Sequence, residues 1–254
     1  GCAARSALAL RCVKAVGGAR LGILFFPLSN GAMSLTIYGI AASRAVRPLW
    51  AATELGLDFV HVPLRYQEGA TRSAPFRALN PNGHIPVLVD ARPEGEVVLW
   101  ESMACTLYLA RHHGRPDGVG ISPATPAEDA QALRWSFWTV SELEKDALTV
   151  LMHRRAMPEA ERKPELAAAA EKRLAVPLAV LEGELQAAQA RGHAWLAGER
   201  FTVADLCVAS VLAWAMPARE LLAAHPLSAE WLQRCLARPA QQAMRALARE
   251  PGIS

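Results

Sequence analysis

No run in this chain is long and apolar enough to cross a bilayer as a helix. The stretch 21–28 is mostly apolar but only about eight residues long; it contains Gly22 and Pro27 and falls far short of the ~20 residues a span needs. Cysteine is scarce and unpatterned: the five thiols form no C-x-x-C pair and show no metal-ligand spacing, which argues against a disulfide framework, a zinc site or a dithiol redox motif. They read as reduced thiols of a cytoplasmic protein. A stripe dense in Lys and Arg is also missing. The net charge of +3 comes from 27 basic and 24 acidic groups, and four of the basic ones, Arg5, Arg11, Lys14 and Arg20, lie in an acid-free segment, 1–32. The other 23 face all 24 acids, so the body is close to neutral and nothing points to a nucleic acid or a membrane surface. Internal repeats are absent, and the only biased stretch is the alanine run at 167–170.

What is present suffices for a large buried core: 52% of the 254 residues are apolar and 20% charged, enough for two ordinary domains. Residues 1–32 have the Arg-rich character of a transit peptide and a weak secretory apolar run. They read best as a start-site artefact ahead of Met33, expected to be disordered, because a strand pattern begins directly after that methionine.

Domain one is expected over 33–114, in the order βαβ, short helix, ββα. Its strands fall at 35–39 and 59–62, with a first helix from Ser43 to Leu55 closed by Gly56. A short helix at 75–79 and the turn Asn80-Pro81-Asn82-Gly83 lead into a hairpin, 85–89 with 97–99, and a helix over 101–112. A linker at 115–125, marked by Gly114-Arg115-Pro116-Asp117-Gly118, precedes an all-helical domain over 126–254. There, 127–155 is long and periodic, Leu174, Leu178, Leu181 and Leu185 form one stripe containing Pro177, and 206–216 is apolar on nearly all sides, as a central buried helix should be.

Three local signals carry chemistry. An Ile85–Pro86 bond opens a strand, where proline lacks the N–H a ladder needs; a cis bond would turn the N–H and C=O of Ile85 toward a ligand, while a trans proline at a strand start is the plainer reading. Glu101 and Ser102 sit where a helix begins. Free helix N–H groups with the Ser102 hydroxyl suit a carboxylate and Glu101 suits an ammonium, although for the pair on its own simple capping is the plainer reading. Thr202 with Asp205 three residues on is a capping-box variant, a structural device.

In this order and on these elements, the motifs resemble the glutathione S-transferase family. The resemblance runs over residues 33–253 and includes Ser43-Arg44-Ala45-Val46-Arg47, Glu54-Leu55-Gly56-Leu57, the segment 80–88, Glu101-Ser102 with Tyr108-Leu109-Ala110, and 202–206. It implies an α+β thioredoxin-like N-terminal domain followed by an all-α C-terminal domain, and a cis bond before Pro86. It implies that glutathione is the co-substrate, without a metal. The Ile85 backbone would hold the cysteinyl part, Glu101 and Ser102 the γ-glutamyl end, and His84, where the family often has Lys, the glycyl carboxylate. A homodimer is implied as well.

The expected reaction joins the glutathione thiol to a small apolar electrophile. Lowering a thiol pKa of ~8.5 by ~2 units takes ~2.7 kcal/mol; one charge-assisted hydrogen bond supplies ~1.5–3 kcal/mol and a helix start adds ~0.3–1 kcal/mol. One donor near the first helix is therefore enough. Family members carry Tyr, Ser or Cys near the end of the first strand, whereas Gly39-Ile40-Ala41-Ala42 has no side-chain donor. Ser43, the expected N-cap of the first helix, is the nearest hydroxyl, Tyr38 is the alternative, and backbone N–H groups of Ala42 or Ser43 are a third route. Trp135, Trp138 and Glu142, at i, i+3 and i+7, are the candidates for the electrophile site. Other readings of the same chain are a glutathione-binding regulatory module with weak catalysis, motivated by the donor-free loop, and a glutathione-dependent isomerase or dehalogenase.

Overall fold

The computed structural model describes residues 11–12, 34–65, 69–114 and 120–249. The expected leader, apart from Arg11 and Cys12, and most of the linker motif at 114–118 lie outside the described residues. The chain divides into two compact units between His113 and Gly114, and the segment from Ala243 onward groups with the first.

The first unit is built on a five-stranded mixed sheet. Its strands are β1 (Arg11–Cys12), β2 (Ser34–Tyr38), β3 (Val60–Val62), β4 (Val87–Arg92) and β5 (Gly95–Trp100), in spatial order β1-β3-β2-β4-β5. β3 runs parallel to β1 and β2, while β4 is antiparallel to β2 and β5. Two faces follow from the alternation along β2, where Leu35 and Ile37 are buried and Tyr38 points to the opposite side. On that side α2 (Ala74–Leu79) brings Phe76 onto Leu64 and Val87, with Tyr38, Leu79 and Ile85 at the margin. Helices α1 (Val46–Glu54) and α3 (Ser102–His112) pack against each other, burying Leu49, Trp50, Cys105 and Leu109.

The first helix begins three residues later than the sequence suggests. Ser43 N–H donates to Ile40 O, Val46 N–H to Ser43 O and Arg47 N–H to Arg44 O, so a tight i+3 turn occupies 40–46. Ala45, not Ser43, is the cap residue, and no side chain caps it. This start also resolves an awkward proline: Pro48 falls in the first turn, where a backbone N–H has no intrahelical partner to lose.

At the far end of α3, buried Asp90 on β4 gathers three donors. The Tyr108 hydroxyl lies 2.7 Å from its Oδ2, Arg92 Nε 2.6 Å and His113 Nε2 2.8 Å. Burial alone would raise the carboxyl pKa; these hydrogen bonds outweigh it and hold the group below its ordinary value.

The second unit is helical. The long periodic stretch is not one helix: α4 (Pro126–Trp138) and α5 (Glu144–Leu151) are separated by a π-helical turn, Thr139–Leu143, and a second π turn, Met152–Ala156, follows. In α6 (Pro164–Ala190) the leucine stripe Leu174, Leu178, Leu181 and Leu185 is buried together with Pro177. Every residue of α7 (Val203–Leu212) is buried. Short α8 (Arg219–Ala223) and α9 (Pro226–Leu236) come next, and α10 (Pro239–Leu247) closes the described chain. Glu182 of α6 accepts from the N–H groups of Leu227 and Ser228 and from the Ser228 hydroxyl, so a carboxylate from one helix caps the start of another.

Candidate functional site

The turn before β4 is organised by Asn80, which is nearly fully buried. Its Nδ2 donates to the His84 carbonyl at 2.8 Å and its Oδ1 accepts from the Asn82 N–H at 3.0 Å. Gly83 follows at φ 64°, where a Cβ would stand 2.9 Å from the Thr71 carbonyl oxygen, so the turn closes onto the 3-10 segment Ala70–Arg72 only with glycine there. The His84 side chain is exposed. The Ile85–Pro86 peptide bond is cis. β4 starts only at Val87, and neither the N–H nor the C=O of Ile85 has a hydrogen-bond partner among the described residues.

The β4–β5 register then brings the second motif alongside. Val87 pairs with Trp100, so the residues just before Val87 run next to those just after Trp100, namely Glu101 and Ser102. Glu101 is exposed, has φ 71° and ψ 113°, and makes no side-chain cap bond, although it is the cap residue of α3. A non-glycine residue in that region carries backbone strain of about 1–3 kcal/mol. Ser102 is buried, and its Oγ accepts a 2.7 Å bond from Nη1 of Arg47, itself only 1% exposed. With its acceptor side engaged, the Ser102 hydroxyl keeps its proton available as a donor. The first amides of α3 add further donors without intrahelical partners. An anionic group beside these amides and an ammonium beside Glu101 is the charge pattern this corner can bind.

Arg47, which holds the Ser102 oxygen, is not singled out by the sequence beyond its place in the motif that opens α1. The available signal was a lone arginine inside the otherwise apolar run Val46, Pro48, Leu49, Trp50.

The candidate thiol-activating groups lie on the loop between β2 and α1. The Ser43 hydroxyl donates to Ile40 O at 2.7 Å and its oxygen accepts from the Ala45 N–H at 3.1 Å. The Ser43 N–H is likewise engaged by Ile40 O, whereas those of Ala41 and Ala42 have no partner among the described residues. The Tyr38 ring meets Phe76 edge-on at 6.3 Å within the cluster under α2; burial raises its phenol pKa, and Glu96 adds to the shift. Of the buried thiols, that of Cys105 is pushed up to about 12 by desolvation, which keeps it protonated at neutral pH.

In the second unit, Trp135 is 2% exposed and meets Trp138 edge-on at 4.9 Å, with the Arg134 guanidinium 4.8 Å from its ring centre. The Trp135 Nε1–H is buried without a partner among the described residues. Glu142 is exposed and lies inside the π turn, whose wider winding carries it off the face that regular α spacing would give it.

Family models match both parts of the chain: residues 33–111 match "Glutathione S-transferase, N-terminal domain" and 143–239 match "Glutathione S-transferase, C-terminal domain". Glutathione S-transferase 3 of Zea mays is 35% identical over 218 residues, covering 82% of this chain and 91% of the relative. FtsZ-localized protein A of Caulobacter vibrioides is 32% identical over 175 residues, 67% of this chain and 71% of that one. The crystal structure of the theta class glutathione S-transferase from Xanthomonas axonopodis pv. citri with glutathione bound is 32% identical, with a TM-score of 0.68, covering 84% of this chain and 97% of that one.

Proposed function

This chain belongs to the glutathione S-transferase family, and from that premise we propose that it binds glutathione across the Ile85–Pro86 and Glu101–Ser102 corner and conjugates its thiol to a small apolar electrophile. The observation that carries the reading is the unpaired backbone of Ile85 beside the open start of α3. In this scheme the Ile85 backbone pairs with the cysteinyl unit. Ser102 and the α3 amides take the γ-glutamyl carboxylate, Glu101 takes its ammonium, and His84 meets the glycyl carboxylate.

Thiolate formation requires a donor from the loop 39–43. Ser43 is the catalytic candidate over Tyr38, whose ring is tied into the cluster under α2. Its hydroxyl donates to Ile40 O, and rotation about χ1 would redirect that bond to a sulfur. The unpartnered Ala42 N–H is the backbone route that supports it. For the electrophile, the unpartnered indole N–H of Trp135 supports a role for Trp135 and Trp138 in substrate contact, with Glu142 at the margin. A homodimer in the cytoplasm completes the proposal; exposed Val98 and Trp100 on β5 and Phe137 on α4 are apolar surface that a second copy would cover.

One observation favours a second reading, a glutathione-binding module without turnover: the loop 39–42 carries no side-chain donor and Ser43 is already hydrogen-bonded. Retention on immobilised glutathione, combined with turnover of a generic aryl halide, tests both. Retention with turnover supports the transferase, retention without turnover of any electrophile or peroxide supports the module, and no retention removes both.

A further inference from the structure

Residues 39–42 carry no side-chain donor, so whatever they add to the Ser43 hydroxyl in holding a thiolate comes from their backbone, and backbone groups act only when their peptide planes are held. We infer that His61 is the positioning residue that holds this loop, acting through the carbonyl of Gly39; the inference rests on the reading that the loop 39–43 faces the glutathione sulfur.

His61 is the central residue of β3 and is fully buried. Its Nε2 lies 2.8 Å from Gly39 O. A carbonyl oxygen only accepts, so Nε2 carries the proton in this contact. The next residue of the same strand holds the other polar atom: Gly39 N–H donates to Val62 O at 2.9 Å. Gly39 is thus clamped on both sides by consecutive residues of β3. It adopts φ 128°, and a Cβ there would stand 2.8 Å from Ala45 Cβ and 3.1 Å from Ile85 Cβ. The clamp therefore sets the loop directly against the residue proposed to hold the cysteinyl unit.

The peptide group is planar and trans, so fixing the Gly39 carbonyl also fixes the Ile40 N–H, pointing away from His61. A hydrogen bond accepted by a carbonyl polarises its peptide and strengthens the N–H as a donor. The turn closed by Ser43 N–H on Ile40 O carries that constraint on to Ala41 and Ala42. Position 61 is the one fully enclosed position of β3, which an aliphatic side chain would fill without burying a polar ring. What histidine adds there is a donor of fixed direction.

The test uses the full chain with His61→Leu, which removes the donor, and His61→Gln, whose amide nitrogen reaches as far as Nε2. In the protein without glutathione, amide hydrogen exchange at Gly39 and Ser43, the two hydrogen-bonded amides of the loop, should speed up about tenfold or more in His61→Leu and return to wild-type rates in His61→Gln. In the glutathione complex, the thiolate absorbance titration should move up by about one pKa unit in His61→Leu and recover in His61→Gln. Affinity for S-methylglutathione, which has no thiol to ionise, should stay within about threefold throughout. Should His61→Leu fail to fold, His61→Asn, too short to reach Gly39, replaces it. Equal losses in the leucine and glutamine variants, or unchanged exchange in the leucine variant, would overturn the inference. The exchange measurement needs no ligand, so it decides even if the wild-type chain retains no glutathione, a result that would instead sink the functional reading.

Discussion

Two helix starts in this molecule use the same kinds of residue to opposite ends. At α7, Asp205 is fully buried; its carboxylate accepts from the N–H groups of Thr202 and Leu196 and from the Trp231 indole, and Thr202 completes the capping box. These donors have their partner inside the protein. At α3, the acidic residue is exposed and strained, caps nothing, and leaves the first amides and the buried Ser102 hydroxyl proton without a partner among the described residues. A carboxylate and a hydroxyl at a helix start are thus either a fastener or a receptor. What separates them is whether the carboxylate turns back onto its own helix.

The largest expected effect tests the fastener. Asp205→Ala strips the partner from several buried donors and should cost about 3 kcal/mol in urea denaturation; a loss under about 1 kcal/mol would erase the distinction drawn here. Glu101→Gly probes the receptor with the opposite sign. Relief of the positive φ should stabilise the chain by about 1 kcal/mol, while glutathione affinity measured by calorimetry falls about tenfold or more. A variant both less stable and unchanged in binding would mean that Glu101 is a structural cap after all.

The start of α1 is a third case, with no side-chain cap at all. Ser43→Ala should raise the pKa of the bound thiol by about one unit in an absorbance titration; an unchanged titration would assign activation to the backbone alone. The smallest effect concerns Asp90, a carboxylate closed over by donors as Asp205 is. Its pKa is depressed in the folded chain, so its contribution to stability is present above the ordinary carboxylate range and is lost as pH falls through the depressed value. Thermal unfolding of Asp90→Asn followed across acid pH should show a shallower decline than the wild type.

Much of this was legible in the sequence, because it depends on local pattern. Strand alternation gave the hairpin and the first unit's order, the leucine stripe gave the buried face of α6, and Thr202 with Asp205 marked the start of α7. The pairing of Ile85–Pro86 with Glu101–Ser102 followed from two short motifs flanking one hairpin. What escaped depends on contacts distant in the chain. Arg47 meets Ser102 across 55 positions and His61 meets Gly39 across 22, and no periodicity announces either. The start of α1 also escapes, because a serine ahead of an apolar run signals a cap, while the i+3 turn that absorbs it leaves no mark in composition. The π turn at 139–143 likewise breaks a periodicity that the residues themselves continue.

The Arg47–Ser102 bond does more than support a hydroxyl. It ties the first turn of α1, just after the loop proposed to meet the sulfur, to the residue proposed to meet the γ-glutamyl carboxylate. Both ends of the ligand are then read from one rigid block, and the span between them is a dimension of the fold. On that proposal the site is a gauge of peptide length: the β-aspartyl homologue of glutathione, one methylene shorter between carboxylate and thiol, would fit either end but not both together.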